Sequence, residues 1–156
     1  MSEKLKIARD HLEHGRLNSA LKILKPLSEA EDAEAMLLYS TFSIAGTEND
    51  EEFNSRRLVL LEKSSALGFP EALYELAICY DTGDLVEQDS EYAAKLFEQA
   101  CNGGFPHAKF AHGLNVYHGS HGISKDKESG LKLILAASET GVPEAREFLE
   151  KLKNSP

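Results

Sequence analysis

Apolar residues recur along this chain at steps of three and four, and the runs are broken by short stretches rich in Gly, Asp, Asn and Ser. That spacing predicts amphipathic helices joined by tight loops. The pattern is clearest from Ala72. Leu76, Ala77 and Tyr80 share one stripe, Gly83 stops the helix, and Asp89 caps a second with Glu91 in its first turn. Ala93, Leu96, Phe97 and Ala100 form the stripe of that second helix before Gly104. From Ala108 the scheme returns with Gly113, Val116, Gly119, Asp126, Gly130, Leu133, Ile134, Ala137 and Gly141. One added residue near His121 keeps the register, in a loop where an insertion is cheap.

Two fainter copies come first. From Ala35, Gly46 takes the place of Gly83; Leu60, Leu61 and Ser64 mark the packing face of the next helix, and Gly68 ends it. Thr47 to Glu52 reads as an acidic, solvated loop. Gly15 ends a first helix of about residues 3–14, and Ala20, Ile23, Leu24 and Leu27 stripe the second, where Pro26 predicts a kink or an early stop. A last helix, 144–153, turns Phe148 and Leu152 inward and covers its remaining faces with charge. Nine helices are expected.

The corners repeat as well. Gly68-Phe69-Pro70, Gly104-Phe105-Pro106 and Gly141-Val142-Pro143 lie 36 and 37 residues apart. Glycine ends one helix in the left-handed region and proline starts the next. A corner at that period predicts stacked helical hairpins. His112 stands where the preceding unit has Leu76, so it should be buried or half-buried and in need of a hydrogen-bond partner.

The runs Ala72, Leu76-Ala77, Tyr80, Gly83, Asp89, Ala93, Phe97, Ala100, Gly104 and Ala108, Gly113, Gly119, Gly122-Ile123, Asp126, Ala137, Gly141 resemble Sel1-like repeats, relatives of the tetratricopeptide class. The likeness covers about residues 70–145 well and 16–69 loosely, with Glu31 in place of a closing glycine and Ser43 in place of the tyrosine of position 9. It implies an all-α fold: a right-handed α/α solenoid superhelix of about four hairpins plus a C-terminal capping helix. The units run about 3–34, 35–71, 72–107 and 108–144, with the cap at 144–153, in a single domain over 1–156. It also implies work in protein–protein contacts, as adaptors or as bacterial proteins that act on secretion systems or neutralise toxins. A cysteine-rich branch is linked to β-lactam binding. Cys101 sits in a slot similar to that branch, but without a regular series of partners, so a hydrolase of that kind is the remote alternative.

The 42% hydrophobic and 28% charged fractions are those of an ordinary folded chain, and no apolar run approaches a membrane span. The start, Met1 to Lys6, is charged on both signs and unlike a signal peptide, which predicts a cytoplasmic protein. Cys79 and Cys101 are too few for a disulfide framework. The net charge of −9 is uneven: residues 1–52 and 53–104 each carry −5, and residues 105–156 carry +1. Such a field disfavours nucleic acid and anionic lipid and favours a basic protein partner. The chain itself is expected to be a monomer or weak dimer.

Within each first helix, the stripe opposite the packing face offers Glu71, Tyr74, Ile78, Asp81 and Thr82 in one unit and His107, Phe110, Leu114, Tyr117 and His118 in the next. The Ala35 unit adds Leu37, Thr41 and Ile44. An exposed stripe should be polar, so Tyr74, Ile78, Phe110, Leu114 and Tyr117 in adjacent rows predict a contact surface that alanine at Tyr74 and Phe110 would abolish without unfolding the chain. The competing expectation is that these side chains pack on each other. His107, His112, His118 and His121, and the His11/His14 pair, lack a zinc spacing, and no metal or other cofactor is expected. No phosphate loop, nucleophile elbow or His-Glu-x-x-His motif occurs, and Glu51 and Glu52 lie where nothing raises a pKa, so no enzyme activity is expected. The functional expectation is a protein that occludes a basic toxin or effector, an immunity-type inhibitor, with an adaptor joining two proteins as the alternative.

Overall fold

Side-chain caps set where most of the helices begin. Asp32 Oδ1 accepts from the Ala35 amide at 2.9 Å, Asp89 Oδ1 from Tyr92 at 2.9 Å and Asp126 Oδ1 from Ser129 at 3.0 Å. Asn49 and Glu52 cap each other's amides at 2.9 Å, a complete capping box. The computed structural model describes residues 2–154, which form α1 (Glu3–Glu13), α2 (Leu17–Glu29), α3 (Ala33–Ser40), α4 (Asp50–Ala66), α5 (Pro70–Thr82), α6 (Ser90–Asn102), α7 (Pro106–His118), α8 (Lys127–Glu139) and α9 (Pro143–Lys153). Those nine helices among the described residues are the number the periodicity predicts, and no strand accompanies them. Met1, Ser155 and Pro156, the ends of the expected 1–156 domain, lie outside the described residues. Contacts group the chain into two compact units, residues 1–72 and 73–156.

In the first unit α1 packs on α2, α2 on α3 and α3 on α4. Leu5, Ala8, Ala20, Leu24, Ala35, Leu38 and Phe42 form its buried cluster, with Ile23 and Leu27 at its margin. Small alanines at these crossings let backbones approach while the leucines fill the layer. Pro26 does not end α2 early, because it falls in the last turn and the helix runs on to Glu29. The α2–α3 corner is closed by Glu31, which takes φ 61° where glycine was expected. The Asp32 amide still reaches Leu27 O at 3.0 Å, the same closure that Phe105 makes to Ala100 O at 3.1 Å beyond Gly104. A glutamate in that region is disfavoured by about 1 kcal/mol.

Three expectations fail here. α3 stops at Ser40, so Ser43, which takes the tyrosine's position, lies beyond the helix. Leu37 is buried (2% exposed) and Ile44 packs against the core, leaving only Thr41 of that trio exposed. The acidic segment is not a free loop: residues 50–52 open α4, and Glu48 is paired with Arg56. Arg56 explains the short helix. Its guanidinium donates to Tyr39 O at 2.6 Å and Phe42 O at 2.9 Å, and to the Glu48 carboxylate at 3.0 and 2.5 Å. It also stacks over the Tyr39 ring at 4.2 Å. Carbonyls left without helical amides are therefore satisfied by one charged side chain.

The second unit is more regular. α6 packs on α7, α7 on α8 and α8 on α9. In both of its hairpins the capping aspartate also ties the loop down: Asp89 N donates to Tyr80 O at 2.9 Å, and Asp126 N to Val116 O at 2.8 Å. The α7–α8 loop, 119–126, is one residue longer than 83–89 and contains His121 at φ 53°. Ile134, Ala137, Val142 and Ala145 are fully packed, with Phe110, Leu114, Tyr117, Phe148 and Leu149 against them. Leu149 holds the place expected of Leu152, which is 38% exposed. On α9 the positions matching Ala77 and Tyr80 are Glu150 and Lys153, both exposed, so the face another helix would cover is charged.

Candidate functional site

Six of the expected binding residues line one cavity of about 290 Å³ within the second unit: Tyr74, Ile78 and Asp81 from α5, and His107, Phe110 and Leu114 from α7. The first-helix stripes bring them together because Pro70 and Pro106 start α5 and α7 one repeat apart, so equivalent turns stand side by side. The remaining wall comes from residues outside those stripes. Ser90, Ala94 and Phe97 belong to α6, Ala111 and Asn115 to α7, His121 to the longer loop and Glu144 to the start of α9. A stripe taken from first helices alone misses the α6 residues Ser90, Ala94 and Phe97.

Three expected residues lie elsewhere. The Tyr117 ring is 5.0 Å from His118 and 5.5 Å from Phe148, so α9 covers it. His118 lies 6.3 Å from the same Phe148 ring. Glu71 pairs with Arg9 at 3.6 Å in the first unit, where Arg9 also holds Glu34 at 2.9 Å.

The lining is less open than an exposed stripe would be. Tyr74 and Phe110 are both half-buried. Tyr74 stacks on Phe105 at 5.1 Å, Phe97 at 5.5 Å and His107 at 6.0 Å, and Phe110 meets Phe148 at 6.5 Å. The two residues form a wall of the groove and part of the packing at once, so alanine at both would weaken the fold, contrary to expectation. Burial pushes the Tyr74 phenol above its ordinary pKa, and the carboxylates of Glu75 and Glu144 push it the same way. Asp81 and Glu144 line the cavity, and no lysine or arginine does.

The histidines are dispersed. His107 and His121 border the groove. His112 is half-buried and its Nδ1 is sealed from solvent without the expected partner. Burial holds its pKa below the ordinary value, partly offset by the Glu98 carboxylate. Among the described residues no three or more His, Cys, Asp or Glu side chains stand close enough to hold a metal ion. Cys79 and Cys101 are buried thiols not joined in a disulfide, and burial raises the Cys101 thiol pKa. No helix among the described residues is long and apolar enough to cross a membrane.

The family model for the Sel1 repeat matches residues 70–105 and 106–142, the two hairpins that enclose the groove. Among solved structures, a Sel1 repeat protein from Oxalobacter formigenes is 25% identical with a TM-score of 0.72, over 84% of this chain and 97% of that one. A protective antigen of uropathogenic Escherichia coli strains with an SLR fold is 25% identical with a TM-score of 0.68, over 80% of this chain and 26% of the larger antigen. Helicobacter pylori cysteine rich protein B shares the fold at 18% identity and a TM-score of 0.57, over 94% of this chain and 97% of that one. No curated protein matches the sequence.

Proposed function

We propose, from the premise that residues 70–142 make this chain a Sel1 repeat protein, that it acts by holding a protein partner in the groove between α5, α6 and α7. Sel1 repeat proteins mediate protein–protein interaction, and their helical hairpins serve as a scaffold for it. The observation that carries the reading is the groove itself: aromatic and aliphatic side chains from both matched repeats border one recess, whose lining holds two carboxylates and no lysine or arginine. Of the two forms such binding could take, occlusion of a basic toxin or effector is favoured over an adaptor. The net −5 carried by each of the spans 1–52 and 53–104 would speed capture of a positively charged partner.

Blocking the groove tests this without touching the packed aromatics. Ala111 is half-buried and lines the cavity, so Ala111→Trp would fill it from the α7 side. With the partner captured from source cells and then purified, titration calorimetry should show binding lost in the variant while its melting temperature stays within a few degrees. Unchanged binding would place the contact elsewhere.

A further inference from the structure

We infer that the occupant of this groove is a segment of the partner that carries basic residues beside an apolar side chain. The inference rests on the groove-binding reading above and adds the chemistry of the guest. Asp81 and Glu144 supply the carboxylates of the recess. Tyr74 of α5 lines the same recess, with its ring 6.0 Å from that of His107. Asp81 lies seven residues further along the same helix, about 10 Å at 1.5 Å per residue. His121, Ser90 and Asn115 are the other polar side chains of the lining.

The rest of the lining is largely apolar, with Ile78, Phe97, Phe110 and Leu114 beside the small Ala94 and Ala111. A recess of about 290 Å³ suits one large side chain more than a whole helix. With no lysine or arginine in the lining, an incoming guanidinium or ammonium meets two carboxylates and the faces of Tyr74 and Phe110. A guest with acidic ends would bring like charge against both carboxylates in a partly dehydrated site.

Selection from a phage-displayed library of random peptides about 12 residues long, with the full chain immobilised, tests this. Enriched peptides should carry Lys or Arg beside Leu, Ile or Phe. Their affinity, read by fluorescence anisotropy, should fall at least tenfold in the Asp81→Asn/Glu144→Gln variant and also with added salt. Enriched peptides that are neutral or acidic, yet lose binding in Ala111→Trp, would overturn the inference and leave the groove as the binding site. Peptides indifferent to Ala111→Trp would overturn the groove reading itself. A library that yields no enriched sequence would overturn both.

Discussion

The α3–α4 and α7–α8 hairpins each join a first helix to a second, but one is held by a guanidinium and the other by the absence of side chains. In α3–α4, Arg56 reaches back to the carbonyls of Tyr39 and Phe42 and pairs with Glu48. In α7–α8, Gly113 and Gly130 face each other so closely that a Cβ on Gly130 would stand 2.5 Å from Tyr117 N and 2.7 Å from Gly113 O. The first arrangement is a set of polar bonds that one substitution can unmake. The second is a steric fit in which backbone meets backbone, and it fails by addition. The difference also sets how regular each hairpin is. The helices α7 and α8 run 13 residues each, whereas α3 stops at eight and leaves its last carbonyls to a side chain.

The largest expected effect comes from Gly130→Leu. The atoms in the way are main-chain atoms of Tyr117 and Gly113, which move only if the two helices part. Urea unfolding should show a loss of about 3 kcal/mol or more. Gly113→Ala is its graded counterpart, since its nearest neighbours are the Ile134 side chain at 3.0 Å and the Leu133 side chain at 3.1 Å. A loss of about 1–2 kcal/mol is expected there. Equal, small effects at both positions would mean the hairpin is not held by close approach.

Arg56→Met comes next. It removes two carbonyl contacts and leaves Glu48, whose side chain is 15% exposed, without its cation. The expected destabilisation is about 2–3 kcal/mol. Arg56→Lys should rescue only part of it, because one ammonium lacks the planar fork that serves carbonyls and carboxylate together.

These two sites also explain which parts of the molecule were legible in its sequence. Gly104 and Asp89 act within a few residues of themselves, so their spacing announces corner and cap. Glu31 performs the same turn without glycine, and nothing local marks it. The short α3 was hidden because its terminating partner, Arg56, lies 17 residues beyond Tyr39 and on another helix. In the groove, Tyr74, Ile78, Phe110 and Leu114 followed from helical period. The cover over Tyr117 did not, because its covering residue, Phe148, belongs to α9, two helices further on. His121 reaches the lining through a loop whose added residue was countable but whose direction was not.

Acid should separate the two hairpins. Arg56 hydrogen bonding holds the Glu48 carboxyl below its ordinary 4.5, with burial opposing. In α7, burial holds His112 below its ordinary 6.5, with Glu98 opposing. Each folded-state pKa lies under the unfolded one, so stability falls as pH drops from the unfolded value through the folded one: Glu48 loses its ion pair, and His112 must take up a proton in a desolvated site. Residues of α7 should therefore weaken first, below about pH 6.5, and the α3–α4 hairpin only below about pH 4.5. Hydrogen exchange followed by mass spectrometry reads the two regions apart. The α7 response should vanish in His112→Leu and the α3–α4 response in Glu48→Gln. Simultaneous loss in both regions would tie the acid response to groups other than these.

The smallest effect is a gain, and it comes from His112→Leu itself. At this position the preceding unit carries Leu76, which is 4% exposed, while His112 keeps a buried Nδ1 without a partner. Leucine has a similar volume, removes the unpaired nitrogen and restores the apolar character of position 5. An increase of about 1 kcal/mol at neutral pH is expected, since an unsatisfied buried polar atom is disfavoured by about 1–3 kcal/mol and some of that is offset by lost contacts. His112→Gln makes the control: similar size, polar, and still lacking a partner, it should bring no gain. A loss of stability in His112→Leu would mean that the ring makes a polar contact in solution, and the α6–α7 crossing, like the α3–α4 hairpin, would then depend on one.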